Sequence, residues 1–355
     1  KYFKLIVLIA LVSTTISCKK YLDINSDPDS TQEPDPSSVL PAMLAGIPRG
    51  IQYDARFLGL YTQNFLMRSP TATTTEVSRY LWETHGYNSG SDNGGDIWRQ
   101  TYYGLGANLD YMIGKGITLE KWDYVGAAYA LKAHMFLQSA SQNGPIIFKE
   151  AFKPNTLFFK YEDQDVVYPG IDSLCRIALS YLSRSDGKVS TASLGKGDYV
   201  YAGDRNKWTK FVYGTLARLY SQYTNKAAFN TQYADSVIKF ADLSFTSGND
   251  DFLVPFDATK NDEANFWGTY RDNLTYYRQS NLIVKLLDGT TFTGASNGTT
   301  RDPRLPHMLV SSQDTTNGNG GYRGINPTSG GDPAGTATTG ANIKKRIPVM
   351  WADSI

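Results

Sequence analysis

The sequence predicts a mainly α fold built from degenerate helix pairs, with long loops and few short strands. Three observations carry that reading. Helical periodicity, with apolar residues returning every three or four positions, recurs over residues 38–65, 95–113, 119–142, 169–184, 205–224 and 230–245. The third segment contains Trp122-Asp123-Tyr124-Val125-Gly126-Ala127-Ala128-Tyr129, which follows the first-helix pattern W-x-x-[L/V]-G-x-x-Y of a tetratricopeptide repeat. Between and after the helices the texture turns to Gly, Ser, Thr and Asn, at 89–96, at 193–199 and above all over 288–343, as expected of long loops.

The chain opens on Lys1 and Lys4, an apolar run from Leu5 to Val12, and small residues leading to Cys18. A spanning helix needs about 20 apolar residues, so this run reads as the core of an export signal. Thr15-Ile16-Ser17-Cys18 resembles a bacterial lipobox, with Thr15 where Leu is commoner; the alternative makes Cys18 an ordinary residue near a signal-peptide end. On the first reading residues 1–17 are a lipoprotein signal peptide and 18–36 are the lipidated Cys18 with a flexible tether rich in Asp, Ser and Pro. Residues 37–355 are one helical domain, expected to be incomplete at its C-terminus because "RIPVMWADSI" stops where a helix is about to start. The alternating Asp23, Asn25, Asp27 and Asp29 imitate a calcium loop, but Pro28 and Pro34 stand where Gly and a bidentate Glu belong. No cofactor is expected, although the composition leaves room for a structural calcium ion.

In the helices, Trp122, Val125 and Tyr129 share one face, and Gly126 removes a side chain so that a partner helix can approach closely. A second, weaker unit pairs Trp208 and Phe211 with the stretch from Ala234 to Ala241, whose two alanines suit the inner seam of a hairpin. Trp98, Tyr102, Trp122, Tyr129 and Trp208 lie in helical patterns and belong to the core. Cys175, among apolar residues in "GIDSLCRIALSYL", reads as a buried free thiol.

Composition excludes several function classes. Lys+Arg 35 against Asp+Glu 34 leaves net charge +1, which gives no electrostatic case for nucleic acid. The 3 histidines, His85, His134 and His307, have no metal spacing, and neither a G-x-S-x-G elbow nor a phosphate loop occurs.

Several segments in order carry a family resemblance: "CKKYLDINSDPD", "DIWRQTYYGLGANLDYMI", "YALKAHMFLQSASQNGPIIFKEAF" running into "YEDQDVVYPGIDSLCRIALSYL", "WTKFVYGTLARLYSQYT", Asp302-Pro303-Arg304-Leu305, and "RIPVMWADS". The chain resembles the SusD/RagB family over nearly its whole length. It departs at Pro145-Ile146-Ile147-Phe148, where relatives tend to show Gly-Asp-Ile-Pro-Tyr. The resemblance implies an α-α superhelix and a lipid-anchored protein exposed on the outer membrane. Such a protein binds oligosaccharide or peptide without catalysis and partners a SusC-like TonB-dependent barrel. A surface glycoside hydrolase is the enzymatic rival, needing two carboxylates about 5 to 10 Å apart.

A glycan offers apolar C–H faces and many hydroxyls, so aromatic platforms beside Asp, Asn and Arg are the residues to seek. Trp267, Tyr270, Arg271, Asp272, Asn273, Tyr276, Tyr277 and Arg278 bring both within one segment, and Tyr80, Trp82 and Tyr87 form a second candidate. The competing reading packs Trp267, Tyr270 and Tyr277 against the helical body and leaves the charges solvated.

Overall fold

The computed structural model describes residues 33–67, 95–261, 263–268, 277–290, 301–316 and 320–325. Helix α1 (Pro36–Tyr61) begins at Asp35, whose carboxylate accepts the Ser37 amide at 3.0 Å. Pro36 fills the first helical position, where a missing N–H costs nothing. Lys121 donates to the same carboxylate at 2.5 Å, and Glu33 pairs with Lys115 at 2.6 Å. The Tyr111 hydroxyl donates to the Pro34 carbonyl at 2.9 Å, so the incoming chain is strapped to the helices that follow.

Helix α2 (Asp96–Arg99), a π-turn (Gln100–Leu105) and α3 (Gly106–Thr118) follow one another without a break. Their first turn is capped from outside. The buried Asp54 carboxylate of α1 accepts the Asp96 and Ile97 amides at 3.0 and 2.9 Å, and the Gln142 side-chain amide at 2.9 Å. Gly46 and Gly50 give α1 the notch this contact requires. A Cβ on Gly46 would lie 2.5 Å from Leu105, and one on Gly50 would lie 3.2 Å from the Ile97 backbone.

Helix α4 (Trp122–Asn143) is the centre of the main core. Tyr124, Val125, Leu131, Phe136 and Leu137 are all buried, because α1, α3, α5 (Gln164–Leu182) and α7 (Arg205–Ser221) pack around it. The repeat pattern behaves as its spacing predicts. Gly126 faces Leu182 of α5, where a Cβ would meet the side chain at 2.7 Å and the backbone nitrogen at 3.0 Å. Trp122 and Tyr129 are only half-buried and stack on either side of Tyr181, with interplanar angles of 24° and 4°, while Arg184 covers Trp122 at 3.8 Å. Cys175 is buried and free, and burial pushes its thiol pKa upward.

Short α6 (Thr191–Leu194) precedes α7, and α8 (Phe229–Gln232) leads into α9 (Ala234–Leu243), which packs on α7. Here one expectation is corrected. Ala241 is exposed, and Phe240 supplies the seam by stacking near Tyr213 and Tyr220. Trp208 is fully buried as expected, and Trp98 and Tyr102 pack partly buried against the same core.

Strand β1 (Phe65–Met67) pairs antiparallel with β2 (Tyr277–Gln279), setting Phe65 opposite Gln279 and Leu66 opposite Arg278. Around them lies a second, smaller core of Leu60, Phe65, Leu66, Phe266, Tyr277 and Ile325. Helices α10 (Asn281–Leu287) and α11 (Leu305–Met308) are the last helices of the described residues. The Asp302-Pro303-Arg304-Leu305 motif joins them: the Asp302 amide donates to the Leu287 carbonyl at 2.8 Å, Arg304 grips the Asp302 carboxylate, and Leu305 is fully buried. Among the described residues no helix is long and apolar enough to cross a membrane, and no cluster of His, Cys, Asp and Glu could hold a metal ion.

Candidate functional site

A groove of about 750 Å³ opens along one face of α1, lined by Arg49, Gln52, Tyr53, Tyr199, Phe256 and Glu263 among others. Two walls and a floor build it. Arg49 and Tyr53 are four apart and so share the outer face of α1. The opposite wall is Tyr199 with the extended segment Val254-Pro255-Phe256-Asp257, and Ala264 lies between.

Two carboxylates, Asp198 and Asp250, order the chain around that second wall. Asp198, 1% exposed, accepts the Val200 and Tyr201 amides on one oxygen, and the Gly203 amide and the Trp208 indole N–H on the other, at 2.8 to 3.2 Å. Its neighbour Tyr199 is thereby turned outward and exposed. The Tyr201 hydroxyl donates to the Asp250 carbonyl at 3.0 Å, and the Asp250 carboxylate accepts from Thr246 and Ser247 amides and from Lys210. Those bonds, the Lys210 one foremost, hold the Asp250 pKa well below the carboxylate range. Downstream, the Asp257 amide donates to the Glu263 carbonyl at 3.1 Å and closes the turn that shapes the groove's end.

The groove's chemistry is mixed in the way a hydroxylated ligand requires. Tyr53, Tyr199 and Phe256 supply flat apolar surface. The Arg49 guanidinium and the Tyr53 and Tyr199 hydroxyls make no hydrogen bond to any described residue, so their donors are free for a ligand. Burial and the nearby Asp198 carboxylate raise the Tyr199 pKa, which keeps its phenol a donor. Glu263 is engaged by Lys260 at 3.2 Å, and Asp257 by the Thr259 amide and hydroxyl, each at 2.6 Å.

The residues expected from the sequence divide three ways. Trp267 stands behind the groove. Its indole N–H donates to the Gln52 carbonyl at 2.9 Å, its ring packs edge-on against Phe65, Phe266 and Tyr277, and the neighbouring Phe266 amide donates to the Gln52 side chain at 2.6 Å. Trp267 therefore positions a groove-lining residue. Tyr277 and Arg278 are corrected outright: at 3% and 1% exposed they belong to the second core, where both faces of β2 are covered. Tyr270, Arg271, Asp272, Asn273, Tyr276, Tyr80, Trp82, Tyr87 and Cys18 lie outside the described residues. Sequence reasoning missed Arg49 and Tyr53, whose i, i+4 spacing of outward polar residues on α1 was the available signal, and Tyr199, in a loop noted only for its composition.

A second hollow of about 480 Å³ lies by the C-terminal end of α1, lined by Leu58, Phe65, Ile283, Met308 and Val310 with few polar groups. It offers little to a hydroxylated ligand.

The family model described as "Starch-binding associating with outer membrane" matches residues 28–350. Among solved structures, a chitin-binding protein is similar with TM-score 0.56 and 18% identity, over 84% of this chain and 63% of that one. A SusD-like protein from Bacteroides thetaiotaomicron has TM-score 0.55 and 17% identity, over 84% and 57%. A chitin-binding SusD homologue from Flavobacterium johnsoniae has TM-score 0.54 and 15% identity, over 82% and 56%. At such identities the likeness establishes the fold. The chain spans less than two thirds of the length of these structures. No curated protein sequence matches it.

Proposed function

The chain belongs to the SusD-like family, and from that premise we propose that it captures an oligosaccharide in the groove beside α1 and hands it to a TonB-dependent barrel in the outer membrane. The observation that carries the reading is the pairing, in one groove, of aromatic faces from Tyr53, Tyr199 and Phe256 with unengaged donors from Arg49 and the two phenols. A sugar ring presents the complement: polarised C–H bonds for the rings and hydroxyls for the donors. Two similar structures are named as chitin-binding, which agrees with a glycan ligand. In this proposal Tyr270, Arg271, Asp272, Asn273, Tyr276, Trp82 and Tyr87 are further contacts from the adjoining segments, Cys18 carries the lipid anchor, and no catalytic step is assigned.

The test is a glycan and peptide array with the wild-type chain and with Arg49→Ala, Tyr53→Ala and Tyr199→Ala. Saturable binding to one glycan class, weakened by roughly tenfold or more in each variant, is the expected result. Binding to peptides alone would move the ligand class, and silence on both arrays without co-purification of a barrel would sink the proposal. Acylation is read separately, from the mass of the N-terminal peptide containing Cys18.

A further inference from the structure

The loop between α4 and α5, residues 144–163, carries apolar side chains outward rather than inward. Leu157 is 87% exposed and Phe158 is 90% exposed. Nearby on the chain Tyr161 is exposed as well, and Tyr103 of the π-turn, next to a residue that fastens this loop, is 83% exposed. Large side chains at such exposure in a structured loop call for a partner.

Bracing keeps the loop from folding these side chains away. Ile146 and Glu162 form a bridge with reciprocal backbone hydrogen bonds of 3.0 and 2.8 Å. The buried Glu162 carboxylate accepts the Phe148 and Lys149 amides, each at 3.0 Å. The Tyr102 hydroxyl donates to the Ile147 carbonyl at 2.6 Å, and Trp98 stacks on Tyr161 with an interplanar angle of 13°. Phe152 is driven into the core against Phe136 and Tyr102, in the space Gly106 leaves open. Phe152 and Asn155 adopt φ of 65° and 58°, a left-handed backbone that a bulky Phe takes only when its surroundings impose it. The tip is thus presented by a rigid frame.

The composition of the tip selects among partners. Leu157, Phe158 and half-buried Phe159 are flanked by Lys149, Lys153 and Lys160, all exposed. The loop's acid at the tip, Glu150, accepts the Lys160 amide at 3.3 Å, and Asp163 and Asp165 begin only beyond the bridge, at the start of α5. A glycan site needs hydrogen-bonding groups beside its flat rings, and neither Leu157 nor Phe158 carries one. Protein interface cores are depleted in Lys, and their hot spots favour Trp, Tyr and Arg over Leu. An exposed Leu157-Phe158 pair on a loop that also exposes three lysines is the chemistry of an interfacial membrane contact: the pair enters the headgroup–acyl boundary while the ammonium groups stay with anionic headgroups.

We infer that the 149–160 loop is a membrane-contact point that inserts Leu157 and Phe158 into an anionic lipid surface. The inference rests on the surface-anchored reading above. Lys121 binds the incoming chain at one end of α4, and the loop leaves the other end, about 33 Å away for 22 residues. The 15 residues from Cys18 to Glu33 reach about 50 Å when extended, so the anchor leaves that end free to touch the bilayer.

The experiment is vesicle flotation of the chain from residue 18 onward carrying Cys18→Ser, which removes acylation as a cause of binding. Vesicles of phosphatidylcholine alone are compared with vesicles holding phosphatidylglycerol. The expected result is flotation with the anionic vesicles only, weakened by salt. Flotation falls by roughly tenfold or more in Leu157→Ser/Phe158→Ser, whose thermal melt is unchanged because both side chains are already in water. As a second readout, Phe158→Trp is expected to shift its emission to the blue on the anionic vesicles. Cys18→Ser protein with the native loop that stays in the bottom fraction, a double variant that floats equally well, or Trp emission that does not move overturns the inference. Glycan-array binding by the same double variant is expected to match wild type. Loss of vesicle binding and loss of the capture function are therefore read apart.

Discussion

Single carboxylates do much of the positioning in this chain. Asp198 gathers four donors around a side chain that is almost wholly out of solvent, and those bonds decide that Tyr199 faces the groove. Removing it strands buried amides and the Trp208 indole. Asp198→Ala is therefore expected to cost roughly 3 kcal/mol or more in urea unfolding, with Asp198→Asn costing less because one oxygen remains. His134 makes a second residue-scale prediction. Half-buried against Phe211, it has its pKa lowered by desolvation first and by the Arg218 charge second, from 6.5 to about 4. The unfolded chain binds the proton more readily, so stability is full above about pH 6.5 and falls as pH drops toward 4, by up to about 3 kcal/mol. His134→Leu is expected to flatten that slope. Asp35 then adds a lower limb. Burial raises its pKa, but hydrogen bonds from Lys121 and Ser37 outweigh that and bring it down to about 2. Its contribution is present above pH 4 and fades as pH falls through 2.

At the scale of elements, the helix pair is governed by what its small residues permit. Gly126 lets α4 and α5 approach until Leu182 fills the space a Cβ would need, including space against its own backbone. Gly126→Ala is expected to push the helices apart at a cost of about 1–3 kcal/mol, measured as a drop in the urea midpoint at unchanged slope. The aromatic residues of the same pattern work differently from ordinary core. Trp122, Tyr181 and Tyr129 form a stack across the pair, closed by Arg184, and stay half in solvent. The repeat pattern in the sequence placed Trp122 and Tyr129 on one face of α4 but read both as core, where the structure leaves them half-buried. It could not separate stacking from burial, since both use the same face of α4. For α9 the pattern misled: the alanines at 234 and 241 fit a seam by size, yet Phe240 occupies it because its ring reaches Tyr213 and Tyr220.

For the whole molecule, the groove is a joint product of distant parts of the chain. Gln52 on α1 is held by Phe266 and Trp267, more than 200 positions away, while Tyr199 and Phe256 come from two other loops. This arrangement separates two classes of variant. Trp267→Ala is expected to lower stability by about 3–5 kcal/mol and glycan affinity with it, since it removes the support of the groove wall. Arg49→Ala is expected to lower affinity alone, with an unchanged melting temperature. Thermal melts and glycan titrations of the same two proteins check the difference.

The sequence by itself determined the fold class, the positions of the main helices within a few residues, the close approach at Gly126, the buried free Cys175 and the family. Each of these follows from local spacing, residue size or the order of motifs along the chain, which are written in one dimension. Only the tertiary structure decided that Tyr277 and Arg278 are interior, that Trp267 stands behind the groove, and that Arg49, Tyr53 and Tyr199 line it. An aromatic beside an arginine reads the same whether it meets ligand or core. The covering of β2 on both faces and the outward turn imposed on Tyr199 by Asp198 arise from contacts between segments far apart in the chain.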